Sequence, residues 1–368
     1  MPLRSLFALP TILAVISLSL PFATADERAF SRVEIVIGDL LAAEGGGWSP
    51  ADSPLKRPFG IDFTPDGRMY IVELEGGRVH RRDPGGDLLW VSGDGTKNYT
   101  GDGGPLSDAT YNGMHNCAIT PAGDIYIADT WNHCIRRIDG RTAEVSTFAG
   151  TGESGFSGDG GPAAAAQFSD VMCVTLTPDG DVLHVVDIQN RRIRAIDLTT
   201  GIITTIAGNG RKGIPKDGTP ATDAPLVDPR AVAADNSGNL YILERGGHAL
   251  RVVRPDRTIH TVAGTGEKGF VDGNALEAQL NSPKHLCVDD ADQVYIADDR
   301  NAAIRRYDPA AKTLMTILGS GIGEKSLVLK NPHGVCWEQP YLYVVDSSHN
   351  RILRLQPEPD SDSESPRQ

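Results

Sequence analysis

The hydrophobic residues of the chain fall in short alternating blocks, and these blocks repeat along the sequence. The strongest block ends in an acidic residue, as in Asp124-Ile-Tyr-Ile-Ala-Asp129 and Gln293-Val-Tyr-Ile-Ala-Asp298. Six such blocks occur, ending at Glu73, Asp129, Asp187, Glu244, Asp298 and Asp346. Successive terminal acids are separated by 56, 58, 57, 54 and 48 residues. Two-residue alternation repeated at a period of about 50 residues predicts β-strands in a propeller or a solenoid.

Each repeat contains enough strand and turn signals for four strands. An entry strand leads into a Pro-Asp-Gly type of turn, as at Thr64-Pro-Asp-Gly67, before the block that ends in the acid. A third apolar run follows, as in Asn132-His-Cys-Ile-Arg-Arg137, and most repeats close with a fourth strand ending in Ala-Gly-x-Gly, as in Phe148-Ala-Gly-Thr-Gly152. Four short strands joined by tight turns are typical of a propeller blade. The sequence therefore predicts an all-β, six-bladed β-propeller of four-stranded antiparallel blades.

One strand is displaced in the sequence. After the third strand of the sixth repeat, which ends at Leu355, no fourth strand follows. An unpartnered strand, Val33-Glu-Ile-Val-Ile-Gly38, occurs instead before the first repeat. We predict that this N-terminal strand completes the last blade and closes the ring, which leaves no open sheet edge between the first and last repeats.

Several of these motifs together resemble NHL repeats. The motifs are Ala-Gly-Thr-Gly, Gly-Asp-Gly-Gly-Pro, Tyr-Ile-Ala-Asp and Asn-His-x-Ile-Arg-Arg, and the Asn-His pair stands at Asn132 and His133. The resemblance extends over about residues 33–355. It implies a six-bladed propeller, but propellers of this kind serve as interaction platforms, as sensor domains and as relatives of lyases and lactonases. The resemblance therefore predicts the fold and leaves the function open.

The N-terminus has the pattern of a secretory signal peptide. Arg4 precedes an apolar run from Leu6 to Phe22, and Ala23-Thr24-Ala25 fits a signal peptidase site. We predict that residues 1–25 are removed and that the protein is exported to the periplasm or the extracellular medium. An uncleaved membrane anchor is the alternative, but the run is short and carries Pro10 and Pro21. The propeller is predicted over residues 26–356, followed by a disordered acidic tail at 357–368.

Composition limits the possible partners. The 368 residues include 48 acidic and 35 basic side chains, for a formal charge of −13. Affinity for nucleic acid depends on clustered Lys and Arg, which the sequence lacks, so no nucleic-acid partner is predicted. The 41 glycines and 24 prolines agree with a fold of many tight turns. After signal cleavage, no stable membrane insertion is expected.

Two sets of recurrent acids are predicted to have structural roles. The acids of the Gly-Asp-Gly type loops between repeats are expected to cap the turn and a following short helix, and they are Asp102, Asp159, Asp217 and Asp272. The terminal acids of the second strands are expected to accept backbone N–H groups in the turn just after them. Glu73 and Glu244 differ from the other four because each is a longer acid followed by a glycine pair. Either one could reach a ligand, although ordinary variation between repeats is the simpler interpretation.

The residues just after the entry position of each repeat are the strongest candidates for a site, because they are expected nearest the central channel. In repeat order they are Phe59, His115, Met172, Arg230, Lys284 and His333. His115 and His333 are candidate metal ligands or general bases, and Arg230 and Lys284 would suit an anion. His285 is one position out of register and is expected to point to the other side of its strand. Propeller lyases such as the peptidylglycine amidating lyases, which this chain resembles in outline, hold zinc with channel histidines, and here a third ligand in register is missing.

Two functional hypotheses follow. The first is an exported, non-catalytic propeller that binds a protein, peptide or glycan through the loop-rich channel face and requires no cofactor. The second is a metal-assisted lyase or hydrolase that acts on a small anionic substrate, with zinc or calcium at His115 and His333. The absence of recognisable catalytic motifs favours the binding hypothesis.

Overall fold

The computed structural model describes residues 30–38, 55–323 and 327–357, and these form 27 strands. In chain order the strands are β1 (Phe30–Ile37), β2 (Pro58–Phe63), β3 (Met69–Glu73), β4 (Val79–Arg82), β5 (Leu88–Ser92), β6 (Gly104–Pro105), β7 (Met114–Ile119), β8 (Ile125–Asp129), β9 (Cys134–Ile138), β10 (Glu144–Ala149), β11 (Val171–Leu176), β12 (Val182–Asp187), β13 (Arg192–Asp197), β14 (Ile203–Ala207), β15 (Thr219–Pro220), β16 (Pro229–Ala234), β17 (Leu240–Glu244), β18 (Ala249–Val253), β19 (Thr258–Ala263), β20 (Gly273–Asn274), β21 (His285–Val288), β22 (Val294–Asp298), β23 (Ala303–Asp308), β24 (Thr313–Gly319), β25 (Pro332–Glu338), β26 (Tyr341–Asp346) and β27 (Arg351–Pro357). Five single-turn 3-10 helices in this part of the chain are Leu106–Asp108, Thr130–Asn132, Ala163–Ala165, Asp299–Asn301 and Ser347–His349.

The strands form six antiparallel sheets, one for each repeat of the sequence. Blades 1 to 5 each begin with an inner strand, which is β2, β7, β11, β16 or β21, and continue outward through the next three strands of the chain. The two-residue strands β6, β15 and β20 add a fifth strand to the outer edges of blades 2, 4 and 5. These observations confirm the predicted all-β, six-bladed β-propeller.

The inner strands enclose a central channel. Each inner strand contacts the inner strands of its two neighbours, and the contacts run from β2 through β7, β11, β16, β21 and β25 back to β2. Because strands within a blade alternate in direction, all six inner strands begin at the same end of the channel. We call this end the first face, and the opposite end, which carries the Pro-Asp-Gly turns, the turn face.

Blade 6 contains both ends of the described chain. Its strand order is β1-β27-β26-β25, so the N-terminal strand lies at the outer edge of the C-terminal blade. β1 pairs antiparallel with β27, with Val33 opposite Leu355 and Ile35 opposite Leu353. Ile37 is buried in a hydrophobic cluster that also contains residues of blade 1. The predicted ring closure is therefore confirmed.

The terminal acid of each second strand is fully buried and lies beside a base. Asp129, for example, lies 3.6 Å from Arg136 Nη1, and its Oδ1 accepts the Asn112 N–H at 2.7 Å. The bases beside the six acids are His80, Arg136, Arg194, Arg251, Arg305 and Arg351. Arg351 lies two positions earlier in its third strand than the other five bases. The accepted N–H belongs to the loop that enters the same blade, which corrects the prediction that it lies in the turn after the acid. Each acid thereby ties the second and third strands of its blade to the incoming chain.

The acids of the inter-blade loops also differ from prediction. Asp102 accepts a hydrogen bond from Arg136 Nη2 at 2.8 Å, and Asp159 accepts one from Arg194 Nη2 at 2.7 Å. The 3-10 helix that follows the first of these loops has no side-chain cap. These aspartates therefore hold the loop against the buried arginine of the next blade, because a buried guanidinium needs several acceptors.

Two predictions fall on residues outside the described ranges. The proposed signal peptide at 1–25 lies outside them, and so does the acidic tail after residue 357. Across the ranges that are described, none of the helices has the length and apolar character needed to cross a lipid bilayer.

Candidate functional site

The six residues predicted to lie nearest the channel form one layer at its first-face end. We call Phe59, His115, Met172, Arg230, Lys284 and His333 the first-face layer. The ring centroid of Phe59 lies 4.6 Å from that of His115 and 4.3 Å from that of His333. The guanidinium carbon of Arg230 lies 5.4 Å from the Phe59 centroid, and Arg230 Nη1 contacts Met172 Sδ. Phe59 and its neighbours thus fill this end of the channel.

Arg230 is a buried cation without a paired acid. Its side chain is 4% exposed, and its Nε has no hydrogen-bond partner. Among the described residues no carboxylate oxygen lies within 4.0 Å of its guanidinium. Burial, followed by the nearby Arg245, lowers the pKa of Arg230 to about 10, so it remains charged at neutral pH. A buried charge without a counter-ion is costly, and it suggests that an anion binds there.

Lys284 adds a second positive charge to the same layer. It is partly exposed, and burial, followed by the charge of Arg230, lowers its pKa to about 8. Asp299 lies nearby, but it is committed to His333 Nε2 at 3.3 Å and Asn331 Nδ2 at 3.0 Å. The layer therefore carries two cations at neutral pH beside the single carboxylate of Asp299, which leaves it with a net positive charge.

The two histidines of the layer are separated by Phe59. His115 Nδ1 lies 2.8 Å from the carbonyl oxygen of Gly113 and 2.8 Å from Thr130 Oγ1. Burial lowers the pKa of both His115 and His333, so both imidazoles are neutral near pH 7. No group of three or more His, Cys, Asp and Glu side chains in the described ranges is placed to hold a metal ion. The arrangement does not fit the zinc or calcium site predicted at His115 and His333.

His285 lies in the next layer of the channel, below the first-face layer. Its Nδ1 donates to the carbonyl oxygen of Val335 at 3.1 Å, and its Nε2 accepts from Asn116 Nδ2 at 3.0 Å. Asn116 belongs to blade 2 and His285 to blade 5, so this hydrogen bond spans the channel. Burial lowers the pKa of His285 to about 4, which keeps it neutral. His285 thus divides the channel instead of joining a metal site.

Glycine allows the inner strands to approach at this level. A Cβ on Gly60 would lie 2.6 Å from Asn116 Cα, and one on Gly334 would lie 2.4 Å from the Phe59 carbonyl oxygen. Both separations are too short for a side chain. Because Gly60 of blade 1 and Gly334 of blade 6 have no side chains, Asn116 and His285 have room to form their hydrogen bond.

Below this hydrogen bond the channel widens into a chamber that opens at the turn face. We call this cavity of about 410 Å³ the turn-face chamber. Four cysteines of the inner strands contribute to its wall, and they are Cys117, Cys173, Cys287 and Cys336. All four are free thiols. Asp62, which sequence reasoning missed, also lines the chamber and is partly exposed.

The carboxylate of Asp62 binds the inner edge of the next blade. Its Oδ2 accepts the Ile119 N–H at 2.6 Å, and its Oδ1 accepts the Phe63 N–H at 2.9 Å. No Lys, Arg or His of the described chain pairs with it within 4.0 Å. Burial raises the pKa of Asp62 to about 7. The signal for this residue was an acid in the second half of an entry strand, where the other repeats have Ala, Thr or Cys.

The two glutamates considered as ligand contacts lie in the interior of their blades. Glu73 is fully buried and accepts the Lys56 N–H at 2.6 Å, with His80 Nε2 at 3.0 Å. Glu244 is fully buried and accepts from Arg251 Nε at 2.8 Å. The structure places neither glutamate at the channel or on a face that a ligand could reach, so both have the structural role of the other terminal acids.

The geometry therefore defines a closed six-bladed β-propeller with an unpaired charge at each end of its channel. Residues 117–138 match the sequence profile of the NHL repeat. These residues include Asn132 and His133 and the strands β8 and β9. The repeats, the ring closure and the profile match support the predicted resemblance to NHL-repeat β-propellers.

Two curated relatives are similar in sequence. NHL repeat-containing protein 2 of Gallus gallus is 26% identical over 343 residues, which cover 82% of this chain and 47% of the relative. The chloroplastic protein SUPPRESSOR OF QUENCHING 1 of Arabidopsis thaliana is 27% identical over 270 residues, covering 70% of this chain and 25% of the relative. The chain thus spans between a quarter and a half of the length of these relatives.

Solved structures share the fold at low sequence identity. An auxiliary nutrient binding protein from Bacteroides ovatus superposes with a TM-score of 0.64 at 16% identity, covering 89% of this chain and 76% of that one. A gluconolactonase from Xanthomonas campestris superposes with a TM-score of 0.58 at 10% identity, covering 89% of each chain. The shared architecture thus occurs in a binding protein and in an enzyme.

Proposed function

We propose that this propeller is a binding protein whose first-face layer receives an anionic group of its ligand. The observation that supports this function best is Arg230, a guanidinium that is 4% exposed and has no carboxylate partner within 4.0 Å among the described residues. Lys284 lies in the same layer and is partly exposed, so it can complete a two-point contact with a carboxylate.

The ligand is best described as a protein or peptide with an accessible carboxylate. Phe59, His115 and His333 are each at most 5% exposed, so only a small group can reach Arg230. Trp131 stands beside this layer, 41% exposed and with its ring centroid 6.0 Å from that of His115. An exposed aromatic residue next to a buried charge is typical of protein and peptide recognition. A neutral glycan would leave Arg230 without a counter-ion, which makes it a weaker candidate.

The site can be tested by calorimetric titration at low salt with acetyl-dialanine and with its C-terminal amide. Binding of the free acid with little binding of the amide is expected. Arg230→Met should abolish that binding while the melting temperature stays the same or rises, because the substitution removes a buried unpaired charge. Lys212→Gln is the matched control, since Lys212 is an exposed lysine of a first-face loop. Equal binding of acid and amide, or unchanged binding by Arg230→Met, would contradict the proposal.

We also propose that the chain is exported and works outside the cytoplasm. The support is the sequence alone, with a basic start, the apolar run from Leu6 to Phe22 and the Ala23-Thr24-Ala25 motif. The N-terminal sequence of the protein recovered from its source should begin at Asp26, and an intact N-terminus would argue against export by cleavage.

A further inference from the structure

The turn-face chamber is separate from the first-face layer. The hydrogen bond between Asn116 Nδ2 and His285 Nε2, 3.0 Å long, crosses the channel between them. Asn116 is 3% exposed and is fixed on its other side, where its Oδ1 accepts the Val174 N–H at 3.0 Å. A ligand in the chamber therefore meets Asn116 and His285 at the inner end and does not reach Arg230.

The chamber wall has acids and no strong base. Within the described chain no Lys or Arg lines it, whereas four aspartates do. Two of these, Asp235 and Asp289, are buried and accept backbone N–H groups of their own turns. His285 also lines the wall and is neutral, because burial lowers its pKa to about 4. The remaining aspartates are Asp62 within the wall and Asp290 at the exposed rim.

Asp62 retains capacity for a ligand. Each of its oxygens accepts one backbone N–H, and Oδ1 also lies 3.9 Å from the Cys336 thiol, a weak donor. Because a carboxylate offers about four acceptor positions, a position on Oδ2 remains open. No basic side chain of the described residues pairs with it within 4.0 Å. Asp62 is therefore a carboxylate that faces a cavity with an open acceptor position on Oδ2 and without a paired cation among the described residues.

The rest of the wall is apolar or weakly polar. Ile61, Val174 and Leu286 contribute aliphatic surface, and the four free cysteines contribute thiols. Trp337 also lines the chamber, with its indole stacked on Tyr295 at a 6.0 Å centroid separation and its Nε1 donating to Asp290 at 3.3 Å. Hydrogen bonding and stacking hold this indole in one orientation, and an indole ring attracts cations.

We infer that the turn-face chamber binds a small organic ammonium ion, with its charged nitrogen on Asp62 and its apolar body against the aliphatic, thiol and Trp337 wall. A volume of about 410 Å³ lies at the small end of the range of ligand pockets, so the ligand is a compact amine. An anion is disfavoured because nothing in the wall neutralises it. A metal ion is disfavoured because three suitably placed ligands are lacking among the described residues.

The test is a calorimetric titration of the mature protein with phenethylamine, and with 2-phenylethanol as the uncharged analogue. Phenethylamine should bind at pH 8, and 2-phenylethanol should bind at least tenfold more weakly. Asp62→Asn should weaken the binding of phenethylamine at least tenfold. Asp87→Asn should leave it unchanged, because Asp87 is an exposed acid in another turn of the same face and blade.

A second variant separates loss of the site from loss of the fold. Thr175 lies in the chamber wall and is partly exposed, so Thr175→Phe should fill the cavity and block phenethylamine. Acetyl-dialanine binding at the first-face layer should persist in Asp62→Asn and Thr175→Phe, which reports that the ring is intact. Equal binding of phenethylamine and 2-phenylethanol, no binding of phenethylamine at millimolar concentration, or undiminished binding by Asp62→Asn would each overturn the inference.

Discussion

The two ends of the channel are formed by the same six inner strands, yet they present opposite charges. At the first face, Arg230 is buried among aromatic rings without a paired carboxylate. At the turn face, Asp62 lines a chamber that contains no Lys or Arg among the described residues. Arg230 is the second residue of β16 and Asp62 is the fifth residue of β2, so the two lie three positions apart along equivalent inner strands. Between them, Asn116 and His285 close the channel with one hydrogen bond.

The contrast between the two channel ends shows which parts of a repeat maintain the fold and which parts vary from blade to blade. All six terminal acids are Asp or Glu, and each lies beside a buried base that ties neighbouring segments together. The first-face layer contains five residue types in six blades. Strands 2 and 3 of each blade therefore carry the repeated structural contacts, whereas the inner strands carry the residues that distinguish one blade from another.

The largest effect on both ends should come from opening the ring. A chain that begins at residue 39 lacks β1, so blade 6 loses its outer strand and the cluster around Ile37. We expect the melting temperature to fall by about 10 °C or more, because a strand and its interblade packing are lost together. Binding of acetyl-dialanine and of phenethylamine should weaken in parallel, since blades 6 and 1 are no longer held in register.

The matched control for that deletion is the chain ending at residue 357, which lacks the acidic tail. It should melt within about 1–2 °C of the chain that begins at residue 26 and keeps the tail, because the tail is predicted to lie outside the propeller. If both truncations lowered the melting temperature equally, the difference could not be assigned to ring closure.

A smaller effect is expected from removing the hydrogen bond between Asn116 and His285, which separates the two ends of the channel. Asn116→Leu leaves the Val174 N–H and His285 Nε2 without their partner. Two buried polar groups that lose a hydrogen bond should lower the free energy of unfolding by about 3 kcal/mol. Denaturant unfolding measures this change. Asn236→Leu, at the exposed rim of the same chamber, should change the free energy of unfolding by no more than about 0.5 kcal/mol. A similar loss in both variants would refute a structural role for the Asn116–His285 hydrogen bond.

The fold could be predicted because each repeat carries local sequence signals for its strands and turns. Alternation, turn residues and the displaced Val33–Gly38 strand were sufficient for the blade count and for ring closure. The first-face layer was predictable from register alone, since equivalent positions in equivalent strands must lie at one level of the channel.

The chamber was not predictable, because it depends on contacts between blades. Asp62 and Asn116 each bind the backbone of the next blade, and nothing in their own repeat indicates that partner. His285 was expected to point to the other side of its strand, but its side chain reaches across the channel to Asn116, 169 positions away in the sequence. The burial of the third-strand arginines was not predicted for a different reason. Their recurrence in the third strands was visible in the sequence, but a charged residue is seldom expected in a core.

The smallest expected effect concerns the pH dependence of binding at the two ends of the channel, which calorimetry between pH 6 and pH 9 measures. Burial and the neighbouring Arg230 lower the pKa of Lys284 to about 8, so raising the pH through this value removes its charge and should weaken acetyl-dialanine binding up to about tenfold. Burial raises the pKa of Asp62 to about 7, so raising the pH through 7 creates its charge and should strengthen phenethylamine binding by a similar factor, while the amine itself keeps its proton over most of the range.

The two titrations should therefore run in opposite directions, and Lys284→Gln and Asp62→Asn should each flatten only one of them. The raised pKa of Asp62 also means that the folded protein holds this proton more tightly than the unfolded chain. Its contribution to stability is consequently present below about pH 4 and is lost as the pH rises to about 7. Phenethylamine should offset part of that loss, because it binds only the folded state. If both affinities changed in the same direction with pH, the two ends of the channel would not carry independent charges of opposite sign, and this result would contradict the difference drawn between them.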